Sequence, residues 1–251
     1  MSQLIRFGKV VPEGKAMGHL PDGRAVFTIG PLPGELARVG IRKQHKTYAE
    51  AVLREIVEPS AKRKLTAEDH SLICSPWQGV AYDYQLELKQ TMLEEAYAQQ
   101  HLVPPFTGFI PAPARLAYRN RLDFSVIRED ARLQLAFHVR GSWSEFTLLP
   151  DGCKLGSPAM NQAAARLVEQ LNAIGFEVEP ATITVREARS GGQLLTVLTT
   201  SASGEWHRID GAALGNFLVT RPASRAGAPG EIVYQSGESS ITDRLAGIDI
   251  T

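Results

Sequence analysis

Cysteine is the scarcest residue in this chain, with two in 251 positions, Cys74 and Cys153. Two thiols cannot form the disulfide scaffold of a small secreted domain, and in a reducing compartment they are expected to stay reduced. Long apolar runs are missing too. No stretch reaches the roughly 18 uninterrupted apolar residues that a spanning helix needs. The opening residues, MSQLIRFGKV, lack the apolar core of a signal peptide. The sequence therefore predicts a cytoplasmic location and no membrane partner. Net charge is absent as well: 27 basic residues balance 27 acidic ones, so total charge says nothing about a polyanionic partner. What is present, 43% hydrophobic and 22% charged residues, is the balance of a chain that folds. Its length predicts two domains.

The charge is unevenly spread. Up to Lys64 there are twelve basic residues against six acidic, a surplus of six, and the remainder, fifteen against twenty-one, carries the matching deficit. Such asymmetry points to nucleic acid or a charged surface as partner of the basic part. That part reads as short strands (Leu4 to Val11, Ala25 to Ile29, Ala37 to Arg42, Thr47 to Ile56) broken by turns at Pro21-Asp22-Gly23 and Pro31 to Gly34. This pattern predicts a small barrel of the type that binds oligonucleotides.

A connector, Pro59-Ser60-Ala61-Lys62-Arg63-Lys64, marks a boundary. Helical periodicity then runs from Tyr82 to about Gln100, with Leu86, Leu93, Ala96 and Tyr97 on one face, and Pro104-Pro105 stops it. Strands are expected at Leu122 to Ile127, Leu133 to His138 and Glu145 to Leu149. Asn161 is expected to cap a helix with the stripe Leu167, Val168, Leu171 and Ile174, ended by Gly175. Thr182 to Glu187 and Leu194 to Thr199 predict a hairpin through Ser190-Gly191-Gly192. The fold class is α+β: a barrel over residues 1–60, a connector and helix over 61–113, and a mixed domain over 114–251.

A series of short motifs then occurs in order. Asp22-Gly23-Arg24 and Val26-Phe27 precede GPLPGE (Gly30 to Glu35), followed by Lys46-Thr47-Tyr48, Ala51 and Glu58-Pro59-Ser60. Tyr82-Asp83-Tyr84-Gln85-Leu86 with Lys89 follows, then Tyr118-Arg119-Asn120-Arg121, then Ala136-Phe137-His138-Val139-Arg140-Gly141-Ser142. The series resembles the front part of the RNA uracil-C5 methyltransferases, with their TRAM domain, Y-x-x-Q-L-x-x-K helix start, YRN-basic strand and G-F-H-x-R-G-S strand. The resemblance covers nearly the whole chain. It implies an OB-like TRAM barrel, a mixed central domain, and RNA (rRNA or tRNA) as the partner of a monomer.

The RNA-binding candidates are Arg38, Arg42, Lys43, Lys46, Lys62, Arg63 and Lys64, because lysine and arginine supply most non-specific affinity for phosphates. Arg119, Arg121 and Arg140 are the candidates in the later part. Each either holds a phosphate or pairs with a carboxylate such as Asp123. The PGE turn is explained by the conformations that Pro and Gly favour. His138 reads as a packed histidine, and Trp77, Tyr82, Tyr84, Tyr118 and Trp143 read as core material before base platforms.

Several members of the family carry an iron–sulfur cluster on three clustered cysteines and a distant fourth, and a four-iron cluster wants four thiolates. Set against the last of the trio, Cys74 needs one inserted residue; set against the first, it leaves Val80 and Asp83 at the other ligand positions. Cys74 and Cys153 read as vestiges. His70, four residues before Cys74, completes no convincing zinc set with them. No bound metal is expected.

The resemblance also implies that S-adenosylmethionine belongs to a Rossmann-like methyltransferase domain with a Gly-rich loop, a nucleophilic cysteine and a carboxylate base, none of which is recognisable after Asn161. The expectation is a chain without catalytic residues, holding RNA for a methyltransferase domain outside it. The alternative is a free-standing RNA-binding adaptor derived from the same family.

Overall fold

Apolar residues alternate along SQLIRFGKVV, and they do so because one side of this strand faces a closed interior. In β1 (Ser2–Val11), Ile5 and Phe7 are buried while Leu4, Arg6 and Gly8 face outward or lie at the edge. Four more strands complete the wall: β2 (Lys15–His19), β3 (Ala25–Ile29), β4 (Leu36–Gln44) and β5 (Tyr48–Glu58). The order is β1-β2-β3-β5-β4, and β4 pairs back on β1 with Leu4 opposite Arg38, so the sheet closes into a barrel. Ile5, Phe7, Ala16, Leu20, Val26, Ala37, Val39 and Ala49 fill it. The closed barrel confirms the expected front-end architecture. The sequence reading missed β2, whose KAMGH is short and half polar. It stays in register because Gly18 lets β1 approach: a Cβ there would lie 2.6 Å from Ile5 Cγ2 and 2.8 Å from the Arg6 carbonyl oxygen.

The structure, a computed structural model, describes residues 2–103, 105–142, 144–177, 181–223 and 230–251. The chain divides into two units, Met1–Pro111 and Ala112–Thr251. The connector and its helix, read from sequence as a region of their own, thus belong to the barrel unit. Among the described residues two α-helices lie there, α1 (Ser71–Cys74) and α2 (Tyr82–Ala98). Leu88 of α2 joins Val10, Leu32 and Val80 in a second small core, with Trp77, Tyr84 and Met92 against it. The buried stripe of α2 is therefore Tyr84, Leu88 and Met92, not the expected Leu86, Leu93, Ala96 and Tyr97. An i, i+4, i+8 row is as good a helical face as the predicted one; which of them is buried depends on where β1 passes. Lys9 of β1 pins α2 through Glu95 at 2.9 Å. The expected stop at Pro104 lies outside the described residues.

In the second unit a seven-stranded sheet has the order β12-β11-β10-β9-β6-β7-β8. Its strands are β6 (Arg121–Glu129), β7 (Arg132–His138), β8 (Phe146–Leu148), β9 (Ala181–Glu187), β10 (Leu194–Thr199), β11 (Asn216–Thr220) and β12 (Ile232–Ser236). A small hairpin, β13 (Asp243–Leu245) and β14 (Ile248–Ile250), follows. Within the large sheet only β10 and β11 run parallel among the described residues. That is the signature of a mixed α+β domain, not of a doubly wound nucleotide-binding sheet.

One face of the sheet is covered by α3 (Pro158–Ala173), whose Met160, Ala163, Ala164, Leu167 and Leu171 are buried. Ser157, not Asn161, caps it: the Ser157 hydroxyl accepts from the Met160 N–H at 3.1 Å and Pro158 takes the first helical position. Asn161 instead bonds the backbone of the preceding loop. Its Oδ1 accepts from Cys153 N and its Nδ2 donates to Cys153 O, at 2.7 and 2.9 Å.

Candidate nucleic-acid interface

The GPLPGE turn is more than a chain reversal. Glu35 is fully buried, and its carboxylate accepts from the Leu32 N–H (2.8 Å), the Ser60 N–H (2.9 Å) and both arms of Arg63 (2.8 and 2.6 Å). Arg63 also donates to the Gly30 carbonyl at 2.8 Å. Burial pushes the Glu35 carboxyl up, but the hydrogen bonds from Arg63, Ser60 and Leu32 outweigh it and hold the group below its usual range. Arg63, expected to meet RNA, is committed to this ion pair. The turn and Ser60, both motif positions, serve one purpose with Arg63: they join the connector to the barrel.

Other motif residues receive similar explanations. Asp22 Oδ1 accepts from the Arg24 N–H at 3.0 Å, with Gly23 in the left-handed region at φ +86°, so the D-G-R triplet forms the β2–β3 turn. Gln85 Nε2 donates to the Trp77 and Val80 carbonyls, both at 3.0 Å, closing the turn before α2.

The exposed cations gather where β4 turns into β5. Arg42, Lys43 and Lys46 are exposed at this end of the barrel. The register of β4 on β5 shifts between Ile41 and Lys43, and this irregularity sets Arg42 at a bulge. Arg24 reaches in from the β2–β3 turn, donating to the His45 carbonyl at 3.1 Å while it holds Asp22. Beside these cations runs a set of rings. His45 and Tyr48 stack with centroids 4.2 Å apart and planes 13° off parallel, and Phe27 meets Tyr48 edge-on at 5.9 Å. The parallel pairing of β3 with β5 brings Phe27 and Tyr48 together. The sequence reading did not single out His45, Tyr48 or Phe27 as platforms; the alternation in Val26-Phe27-Thr28, with Phe27 on the outer side, was the available signal.

The remaining candidates have other partners. Arg38 holds Glu55 at 3.3 Å across the β4–β5 pair. Lys62 lies over the Tyr84 ring at 5.2 Å and 4.0 Å from Glu87. Lys64 is exposed, its backbone N–H bonded to Gly79 O. In the second unit, Arg121 takes the carboxylate option: it chelates Asp123 with contacts of 2.8 to 3.0 Å, and Thr184 Oγ1 donates to the same group at 2.6 Å. Arg119 lies just before β6 with its N–H on Leu155 O, and Arg140 is exposed in the turn after β7. His138 is exposed at the end of β7, its ring tilted against Phe146 at 4.3 Å, so it is not the packed histidine expected from the sequence. Trp77, Tyr82 and Tyr84 are half-buried and Tyr118 is exposed; Trp143 lies outside the described residues.

Cys74 is buried in α1, and Cys153 is buried in the loop that Asn161 holds. Around Cys74 the structure gathers Glu68 and His70, whose ligand atoms and the thiol lie within 4.8 Å of one another. A four-iron cluster needs thiolates. The chain holds two cysteines in all, half the thiolates that such a cluster takes, and a carboxylate and an imidazole are among the donors gathered at Cys74. These residues do not fit that cluster.

Comparison with known proteins agrees with the motifs. No family model matches the chain. An uncharacterised RNA methyltransferase of Thermosynechococcus vestitus is 28% identical over 172 residues, which cover 66% of this chain and 37% of the relative. The 23S rRNA (uracil(1939)-C(5))-methyltransferase of Halomonas elongata is 27% identical over 64% of this chain and 34% of its own length. An uncharacterised RNA methyltransferase of Nitratidesulfovibrio vulgaris is 22% identical over 96% of this chain and 56% of its own. The chain thus spans about a third to a little over half of these relatives. Among solved structures, the tRNA (uracil-54, C5)-methyltransferase of Pyrococcus abyssi, in complex with S-adenosyl-L-homocysteine, superposes with a TM-score of 0.71 at 19% identity. That superposition covers 98% of this chain and 58% of the other, and it supports the fold. These sequence matches, together with the motif series, support the RNA uracil-C5 methyltransferase family as the one this chain is similar to.

Proposed function

We propose that this stretch of chain grips and orients RNA for S-adenosylmethionine-dependent uracil-C5 methylation, with methyl transfer carried out by a separate cofactor-binding domain. The observation that carries this reading is the barrel end at the β4–β5 turn, where Arg42, Lys43 and Lys46 adjoin the His45–Tyr48 stack and Phe27. Cations at the rim suit a phosphate backbone, and rings on the outer wall suit an unstacked base. The second unit adds Arg119 and Arg140 at the ends of its strands. Arg63 serves the buried Glu35 in this reading, whereas Arg38, Lys62 and Arg121 face exposed carboxylates, in pairs weak enough for a phosphate to displace.

Fluorescence titration of this chain with labelled rRNA and tRNA fragments tests the reading. Binding that weakens linearly in log–log plots as salt rises is expected. A chain that binds neither RNA at low salt, or binds with no salt dependence, refutes it.

A further inference from the structure

The segment before α2 is a closed loop. Lys64 N–H bonds to Gly79 O and Ala81 N–H to Lys62 O, both at 2.9 Å, so residues 62–64 and 79–81 pair at its neck. Inside it the regular structure is the single turn of α1 and a short 3-10 turn, Pro76–Gly79. So little backbone regularity leaves a loop of this length poorly determined by itself. Yet three side chains from this loop converge in a buried position. Glu68 and Cys74 are buried, and the side chain of His70 is 9% exposed.

The geometry points to a mononuclear divalent transition-metal site, zinc by donor chemistry, held by Glu68, His70 and Cys74. Carboxylate, imidazole and thiolate are the three donor types that protein zinc sites use. Their spacing fits as well. With zinc bonds of about 2.0–2.1 Å to nitrogen or oxygen and about 2.3 Å to sulfur, tetrahedral ligands sit about 3.3 Å (nitrogen to oxygen) and about 3.6 Å (sulfur to oxygen) apart. The observed separations are 3.2 Å from His70 Nε2 to Glu68 Oε1 and 3.7 Å from Cys74 Sγ to Glu68 Oε2. The two contacts involve different oxygens of one carboxylate, so ligation by a single oxygen needs only a small rotation.

Gln78 orients that carboxylate. Its Nε2 donates to Glu68 Oε2 at 2.8 Å while its Oε1 accepts from the Ala67 N–H at 2.9 Å. Hydrogen bonds of this kind to a metal-binding carboxylate are a regular part of such sites. The site would staple the loop to the barrel unit, since Trp77 at its far side packs against Gly14 and the second small core. This inference does not depend on RNA binding. It departs from the cluster that the family resemblance implies, because a carboxylate and an imidazole beside thiol donors suit one zinc ion and not four irons.

The test uses the full chain, stripped with a chelator and titrated with zinc alone and with cobalt(II) alone. One metal per chain is expected, and the cobalt form should show a thiolate-to-metal charge-transfer band, a readout that needs no variant. Cys74→Ser should abolish the band, and His70→Asn and Glu68→Gln should each weaken binding at least tenfold, with circular dichroism confirming that the variants fold. A folded wild type that takes up no stoichiometric metal overturns the assignment. So does metal binding without the charge-transfer band, or binding that all three variants leave unchanged. Anaerobic reconstitution with iron and sulfide that yields four irons per chain overturns it too.

Discussion

Glu35 shows at the scale of a single residue how much one buried side chain can decide. Its carboxylate satisfies two backbone N–H groups and the fork of Arg63 with no exposure to water. Removing one partner of such a pair leaves the other charge buried and uncompensated. Glu35→Gln is therefore expected to cost about 3 kcal/mol in denaturant unfolding. Because the folded carboxyl titrates below its ordinary value of 4.5, its contribution is present above that pH and lost as pH falls through the folded value. The stability gap between the natural chain and Glu35→Gln should thus shrink in acid. A gap that stays constant from neutral pH down to strong acid contradicts the ion-pair account. The turn itself was legible from Pro33 and Gly34; the purpose of Glu35 was not, because its partners Ser60 and Arg63 lie 25 and 28 residues away.

The elements divide into those whose sequence carries its own boundary signals and those placed by neighbours. α3 is of the first kind. Ser157, Pro158 and Gly175 bracket it, and its stripe of Leu167, Val168 and Leu171 is buried as the spacing predicts. Ser157→Ala is expected to cost about 1 kcal/mol through the lost cap. Leu167→Ala is expected to cost about 3 kcal/mol, because it opens a cavity against the sheet. Thermal or urea unfolding that ranks the two the other way would show that α3 is not packed as described.

α2 is of the second kind. It has apolar residues on more than one side, so periodicity alone chose the wrong stripe, and the passage of β1 selected Tyr84, Leu88 and Met92. The β4–β5 hairpin carries the functional prediction at this scale. Replacing Arg42, Lys43 and Lys46 together with alanine should weaken binding to every RNA and flatten the salt slope by about 2, at about 0.7 per single-strand phosphate contact. Tyr48→Ala should weaken binding with the salt slope intact, since stacking releases no counterions. An unchanged slope in the triple variant moves the interface elsewhere.

Over the whole molecule, the division into Met1–Pro111 and Ala112–Thr251 predicts that a fragment ending at Pro111 folds by itself. Its unfolding should be a single cooperative transition, and a fragment without a sigmoidal melt would contradict the autonomy of that unit. By itself the sequence determined the fold class, the barrel strands other than β2, the existence of the two long helices and the likeness to a family. Those features follow from local rules: apolar period, turn residues, caps, and an ordered series of motifs. Only the tertiary structure decided what the polar residues do. It committed Arg63 to Glu35 and Arg121 to Asp123, brought Phe27 and Tyr48 side by side through a parallel strand pair, and set Glu68 beside His70 and Cys74. The physical reason is that a charged or ligating side chain is satisfied by whatever group lies within about 3 Å of it, and the partner is chosen by how the chain closes, not by spacing along it.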